Sequence, residues 1–367
     1  SVFSEGLLYT LVASLLFIIV AKIFDPHRAS QPRLPAGTSS QISSICFYLG
    51  ICGLCIDVGL NLTFGMTPVN LTSQRPYYAV LLGYVSAVWT IAGTGFFYQE
   101  IRDNAFSRRA VIYLFLMTVS LGTAWSRSAV VSLALMVCLA FAYSPAGAEF
   151  RLPRLKTLFA GLLLLIVATA SVVTGQVLRG GDVAPDILLF AGLQRIFANN
   201  VSLFLAIDRY DDVHRILMEG QPWVVFDQMF SFIHQRTHYP SSLRFVELNG
   251  VVAEDERGHV SGYAFGWLGL TYGMAGFFGG LLIMVGMLSF LFWGLRFCYN
   301  RGQSLVALLF FAVFANAFLE FPGNLGLDSY VEKLFKYSLY AILAYCFVAS
   351  LSIIGKDHRR RQPRAAS

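Results

Sequence analysis

The chain has 367 residues, of which 56% are hydrophobic and only 13% charged, with a mean hydropathy of +0.62. That is about half the charge of an ordinary soluble domain, too little to solvate a globular surface, so the composition excludes a water-exposed fold and predicts a lipid environment. The net charge of +6 does not point to nucleic acid, because the bases sit in short clusters at the ends of apolar runs and in Lys356, Arg359, Arg360, Arg361 and Arg364, a pattern that sets membrane topology.

Crossing about 30 Å of hydrocarbon takes about 20 apolar residues in a helix. Nine apolar runs meet that need, at 7–24, 44–64, 77–97, 110–125, 129–143, 158–174, 263–297, 304–321 and 334–354. The predicted fold is therefore an all-α polytopic membrane protein of about nine transmembrane helices with one large periplasmic loop that contains short helices. Its parts are a bundle of six spans over 1–176, the loop over 177–262, the C-terminal spans over 263–355 and a basic cytoplasmic tail over 356–367. The sequence begins at Ser1 and enters the first apolar run without a charged leader or a small-residue cleavage site, so the natural N-terminus is expected upstream, with room for a further span.

Orientation follows from the bases in alternate short loops. Arg28 and Arg33, then Arg102, Arg108 and Arg109, then Arg151, Arg154 and Lys156 mark the cytoplasmic side, while the intervening loops carry only Arg75 and Arg127. This puts 177–262 outside and the C-terminus inside. One stretch tests the count: 187–207 is apolar enough to span, but it carries Gln194, Arg195, Asn199 and Asn200 at its centre. A mid-bilayer Arg costs at least about 2.5 kcal/mol, so the stretch reads as a re-entrant or interfacial helix. The seventh run, 263–297, is too long for one simple span. It predicts either a tilted helix that protrudes outward or two segments hinged near Gly279 and Gly280.

All six cysteines, Cys46, Cys52, Cys55, Cys138, Cys298 and Cys346, fall within or at the end of apolar runs. No disulfide framework is implied. Cys52 and Cys55 have a metal-like spacing but no second ligand pair, so a packing role is expected and no metal site is assigned. Glycines at 262, 266, 269, 273, 276, 279 and 280 predict close helix packing in the seventh run. The sequons at Asn61 and Asn70 read as incidental.

The polar chemistry concentrates in 177–262, whose 86 residues hold seven Arg, no Lys, eleven Asp or Glu and four of the six His. Arg without Lys favours a ligand gripped by a planar, two-pronged donor set, such as a diphosphate. Arg209, Arg215 and Arg257 have acids beside them and are expected to pair on a solvated surface. Arg179, followed by Gly180 and Gly181, and Arg195 have none and are better candidates for the site. The stretch from His234 to Glu247 adds Arg236, His238 and Arg244, and supplies His238 or Glu247 as a general base. Outside the loop, Arg127 stands at the outer end of the hairpin between spans four and five, with Asp57 in the outer half of span two as a partner.

The Ser126-Arg127 step opening a transmembrane helix, the long outer loop with arginines, and the run from His259 through Tyr263 and Gly266 to Gly269 resemble the Wzy-type O-antigen and capsule repeat-unit polymerases and the related O-antigen ligases. The resemblance covers about 110–297 and its motifs are short. It implies a glycosyltransferase of the bacterial inner membrane that takes an oligosaccharide from an undecaprenyl diphosphate carrier on the periplasmic side and joins it to a sugar hydroxyl. It implies no cofactor and no metal. The lipid bilayer, the lipid-linked oligosaccharide, a chain-length regulator and a flippase would be its partners. Arg127, Arg179 and Arg195, with Arg236 and Arg244 next, would hold the diphosphate, and His238, Glu247 or His259 would be the base. The ligases pair a His with a Gly at the loop-to-helix junction; here Leu270 stands where that Gly would be and Gly269 is one residue short, which argues for polymerase over ligase. A transporter or flippase for the same lipid-linked sugars is the competing class.

Overall fold

A computed structural model describes residues 2–25, 40–64, 76–104, 107–123, 136–139, 142–143, 202–219, 223, 229, 266–301, 304–320 and 327–361. Among these all regular structure is helical. The principal helices are α1 (Val2–Ile23), α2 (Ser40–Phe64), α3 (Tyr77–Asn104), α4 (Arg108–Thr123), α5 (Tyr210–Met218), α6 (Gly266–Asn300), α7 (Leu305–Glu320) and α8 (Leu327–Arg361). Five of them, α1, α2, α3, α6 and α8, are long and apolar enough to cross a membrane.

The burial pattern of α1 is the reverse of that of a helix in a soluble bundle. On α1 the buried positions are Gly6, Tyr9, Ala13 and Val20, whereas Leu7, Leu8, Leu11, Leu15, Ile18 and Ile19 face outward. Small residues and hydroxyls make the helix contacts and the branched aliphatics cover the outside, as expected where the surroundings are as apolar as leucine. The same holds for Cys52 and Cys55, which are exposed on α2. The expected packing role for this pair is therefore incorrect: both thiols point away from the bundle, while Cys46 and Cys298 are the buried ones.

Two groups of helices meet in the fold. In the first, α2 packs along α3 and against α4. Their closest approach is Gly50 against Gly93, where a Cβ on either residue would come within 2.5 Å of the other's Cα. The Tyr113 ring of α4 lies over this crossing, donating to the Thr90 carbonyl at 3.1 Å and pairing with Thr94 Oγ1 at 3.1 Å. In the second group, α1 and α5 pack on α6. Helix α7 contacts α3, α6 and α8, and so ties the two groups together. At 16 residues it is about 24 Å long, shorter than the five long helices.

Helix α6 decides the geometry of the second group. Its backbone leaves the helical region at Ala275 (φ −148°, ψ 17°) and Gly276 (φ 68°, ψ −163°). Contacts with α1 show what this break does. Trp267 packs on Phe17 with ring centroids 6.4 Å apart, Thr271 Oγ1 meets the Tyr9 hydroxyl at 2.8 Å, and the Tyr272 hydroxyl donates to Glu5, so contacts climb α1 toward its N-terminus. Beyond the break they descend: Phe277 packs on Tyr9, Phe292 on Phe17, and Arg296 donates to the Ile23 carbonyl at 3.0 Å. A Cβ on Gly280 would lie 2.5 Å from the Thr271 carbonyl oxygen, although residues nine apart in a straight helix are separated by about 13 Å along its axis. The chain folds back on itself at Ala275 and Gly276.

The seventh apolar run is thus two limbs, as one of the two expectations had it, but the reversal lies three residues before Gly279. The tilted straight helix is not what forms. The first limb, 266–274, is about 13 Å long and cannot cross 30 Å of hydrocarbon; the second, 277–300, is about 36 Å long and can. Residues 268–273 are buried without interruption, because α1, α5 and the second limb enclose them on all sides.

Elsewhere the boundaries moved outward. Helix α8 runs on to Arg361, so three of the tail arginines extend a helix. Of the fifth run only 136–139 and 142–143 are described, and the sixth run lies outside the described residues. Of the stretch 187–207, residues 202–207 are described and helical, with Ser202, Leu203 and Ala206 buried against the first limb of α6.

Candidate functional site

The folded-back tip of α6 gathers the most polar chemistry among the described residues. It starts with Glu5, the only acid of α1, which sits in the first turn where the helix dipole favours a negative charge. The Tyr272 hydroxyl, three residues before Ala275, donates to Glu5 Oε1. Beside it the buried hydroxyls of Tyr9 and Thr271 pair, and the Tyr9 ring stands edge-on to Tyr272 at 5.2 Å.

The second wall comes from α5. Its Val213 and Leu217 are buried on Gly273, where a Cβ would come within 2.8 Å of both side chains; glycine is what lets α5 approach. Here the predicted close packing holds, as it does at Gly269, which abuts Ser202. Gly276 serves a different end: its φ and ψ fall where essentially only glycine is tolerated, and it makes the reversal. With α5 this close, Tyr210 meets Tyr272 edge-on at 6.1 Å and stacks on His214 at 5.4 Å, and His214 Nδ1 lies 3.2 Å from the Gly273 carbonyl oxygen. Glu5, Tyr272, Tyr210 and His214 therefore form a continuous polar and aromatic wall around one turn of backbone.

A second polar centre lies between α2 and α4. Asp57 accepts from the Ser120 hydroxyl, and Asn61, one turn further along α2, donates to the Ser120 carbonyl at 3.4 Å and to Thr123 Oγ1 at 3.3 Å. Asp57 is thus engaged with a neighbouring helix. Asn61 is 3% exposed and its amide is held inside the bundle, which agrees with reading its sequon as incidental. Asn70 lies outside the described residues. Glu332, near the start of α8, is also buried. Among the described residues no group of three or more His, Cys, Asp or Glu comes together in a metal-binding arrangement.

No family model, curated protein or solved structure matches this chain.

The residues singled out from the sequence as diphosphate ligands, Arg127, Arg179, Arg195, Arg236 and Arg244, and as bases, His238, Glu247 and His259, lie outside the described residues. Of the arginines expected to pair with acids, Arg215 does so, with Asp212 at 2.6 Å on the exposed face of α5. Glu5, Tyr272 and His214 are the residues that sequence reasoning passed over. Signals for them existed: a lone carboxylate opening an apolar helix, and a Tyr and a His at helical spacing (Tyr210, His214) above a buried Val213 and Leu217. What could not be read was that these segments meet, since Glu5 and Tyr272 are 267 positions apart.

Proposed function

We propose that this chain is a glycosyltransferase of the bacterial inner membrane that polymerises oligosaccharide repeat units carried on undecaprenyl diphosphate, at the periplasmic face and without a metal. The observation that carries this reading is the composition of 177–262, seven Arg without one Lys, attached to a membrane-type helix bundle. Displacing a diphosphate requires positive charge fixed where negative charge develops, and guanidinium groups supply it. Arg127, Arg179 and Arg195, supported by Arg236 and Arg244, take that role, and a base, for which the sequence nominates His238, Glu247 and His259, takes the proton of the attacking hydroxyl. Residues 202–219 of this arginine-bearing stretch pack onto α1 and the tip of α6, which is compatible with this reading. An apolar groove of about 570 Å³ between α3 and α8, edged by Tyr77, Tyr84, Trp89, Tyr340 and Phe347, would take part of the lipid tail.

The test is incubation of the purified chain in lipid nanodiscs with a lipid-diphosphate-linked repeat unit, read as a ladder of longer glycans. Arg179→Ala and Arg195→Ala are expected to abolish the ladder in folded protein; full activity in both would remove them from the site. Transfer to a lipid A core acceptor would instead identify a ligase.

The folded-back limb of α6 favours one second reading. Broken helices with exposed backbone ends bind substrates in transporters, so a flippase for the same lipid-linked sugar is the alternative. Movement of the unit across vesicles with no ladder would establish it.

A further inference from the structure

Four residues after Tyr210, His214 is held in a way that selects one of its two neutral forms. A carbonyl oxygen can only accept, so the contact of Nδ1 with the Gly273 carbonyl at 3.2 Å puts the proton on Nδ1 and leaves the lone pair on Nε2. That carbonyl is available because of the reversal: its helical donor would be the N–H of Phe277, which lies beyond the break. The ring is fixed on a second side by stacking on Tyr210, which is itself set by Tyr272 and, through it, Glu5. His214 is half-buried, between arginines at 209 and 215. An imidazole with one nitrogen tied to a carbonyl, its plane locked and its other nitrogen basic is the arrangement a general base needs.

We propose that His214 Nε2 is the general base that activates the acceptor sugar hydroxyl, in place of His238, Glu247 or His259. This rests on the polymerase reading above. In the step, the acceptor hydroxyl oxygen forms a bond to the anomeric carbon of the donor sugar, its proton passes to His214 Nε2, and the bond from that carbon to the diphosphate oxygen breaks with both electrons leaving on the diphosphate. Glu5 and Tyr272 are positioning residues. Among the described residues, the ionisable groups next to His214 on its own helix are Arg209, Tyr210, Asp211, Asp212 and Arg215, with Asp212 engaged by Arg215; from α6, Tyr272 reaches it through Tyr210 and bonds Glu5 of α1.

The experiment measures kcat and KM of ladder formation for the full chain in nanodiscs, as wild type, His214→Asn and His214→Ala. Asparagine keeps an N–H close to the Nδ1 position, and with it the tie to Gly273, but carries no base. His214→Asn is expected to lower kcat by about 10²- to 10⁴-fold with KM little changed and to keep the wild-type melting temperature. Wild-type kcat in His214→Asn overturns the assignment even if His214→Ala fails, since only the structural tie would then matter. A raised KM with kcat unchanged also overturns it, since His214 would then only help to hold substrate. Absence of a ladder from the wild type overturns the polymerase reading itself, and the base with it.

Discussion

At the scale of single residues, the backbone of Gly276 controls more than any side chain nearby. A Cβ there would meet nothing closer than Tyr210 at 3.7 Å, so space is not what excludes alanine; φ 68° with ψ −163° is. Gly276→Ala is expected to destabilise the chain by about 1–3 kcal/mol, seen as a lower melting temperature in detergent. Gly93→Ala fails for the opposite reason, a Cβ 2.5 Å from the Gly50 Cα at ordinary helical angles. It should cost about 1–3 kcal/mol by overpacking and loosen α2 from α3. An unchanged melting temperature in either variant would refute the corresponding cause. Tyr272→Phe keeps the ring contacts and removes only the bond to Glu5, so a smaller loss of about 1–2 kcal/mol is expected by the same measurement.

At the scale of elements, the reversal in α6 makes a claim about distance that labelling can check. Trp267 and Phe292 both pack on Phe17, at 6.4 and 5.7 Å between ring centroids. In a straight helix those two positions, 25 residues apart, would be separated by about 37 Å along the axis. In a background with the six native cysteines replaced by alanine, the pairs Phe17→Cys with Trp267→Cys and Phe17→Cys with Phe292→Cys should each be joined by a short bifunctional thiol reagent. Capture of only one pair would mean that the helix runs straight. The reversal also explains why a 35-residue apolar run supplies one limb of spanning length instead of two.

At the scale of the whole molecule, an outside that carries leucine, isoleucine, phenylalanine and, among the described residues, four cysteines is built to face hydrocarbon. A spin label on Cys52 or Cys55, with the other cysteines replaced, is expected in nanodiscs to collide more often with dissolved oxygen than with a water-soluble nickel chelate. The opposite preference would place that face of α2 in water. Among the described residues of the arginine-bearing stretch, 202–219 pack against α1 and the tip of α6.

The all-helical class and the places of most long helices were legible from the sequence alone, because hydropathy summed over about 20 residues is a property of composition and does not depend on what the helix touches. Ser40–Phe64 and Tyr77–Asn104 begin within four residues of where the apolar runs predict them. The shape of α6 was not legible. A 35-residue apolar run has the same composition whether straight or folded, and seven glycines within 262–280 gave no means to tell the one that reverses the chain from those that pack. The choice fell to partners distant in sequence: α1 and α5 bury both faces of a limb too short to span, His214 meets the Gly273 carbonyl that the break exposes, and Tyr272 ties the limb to Glu5. Tertiary structure alone decided this, because a reversed helix is stable only where other segments satisfy its broken ends.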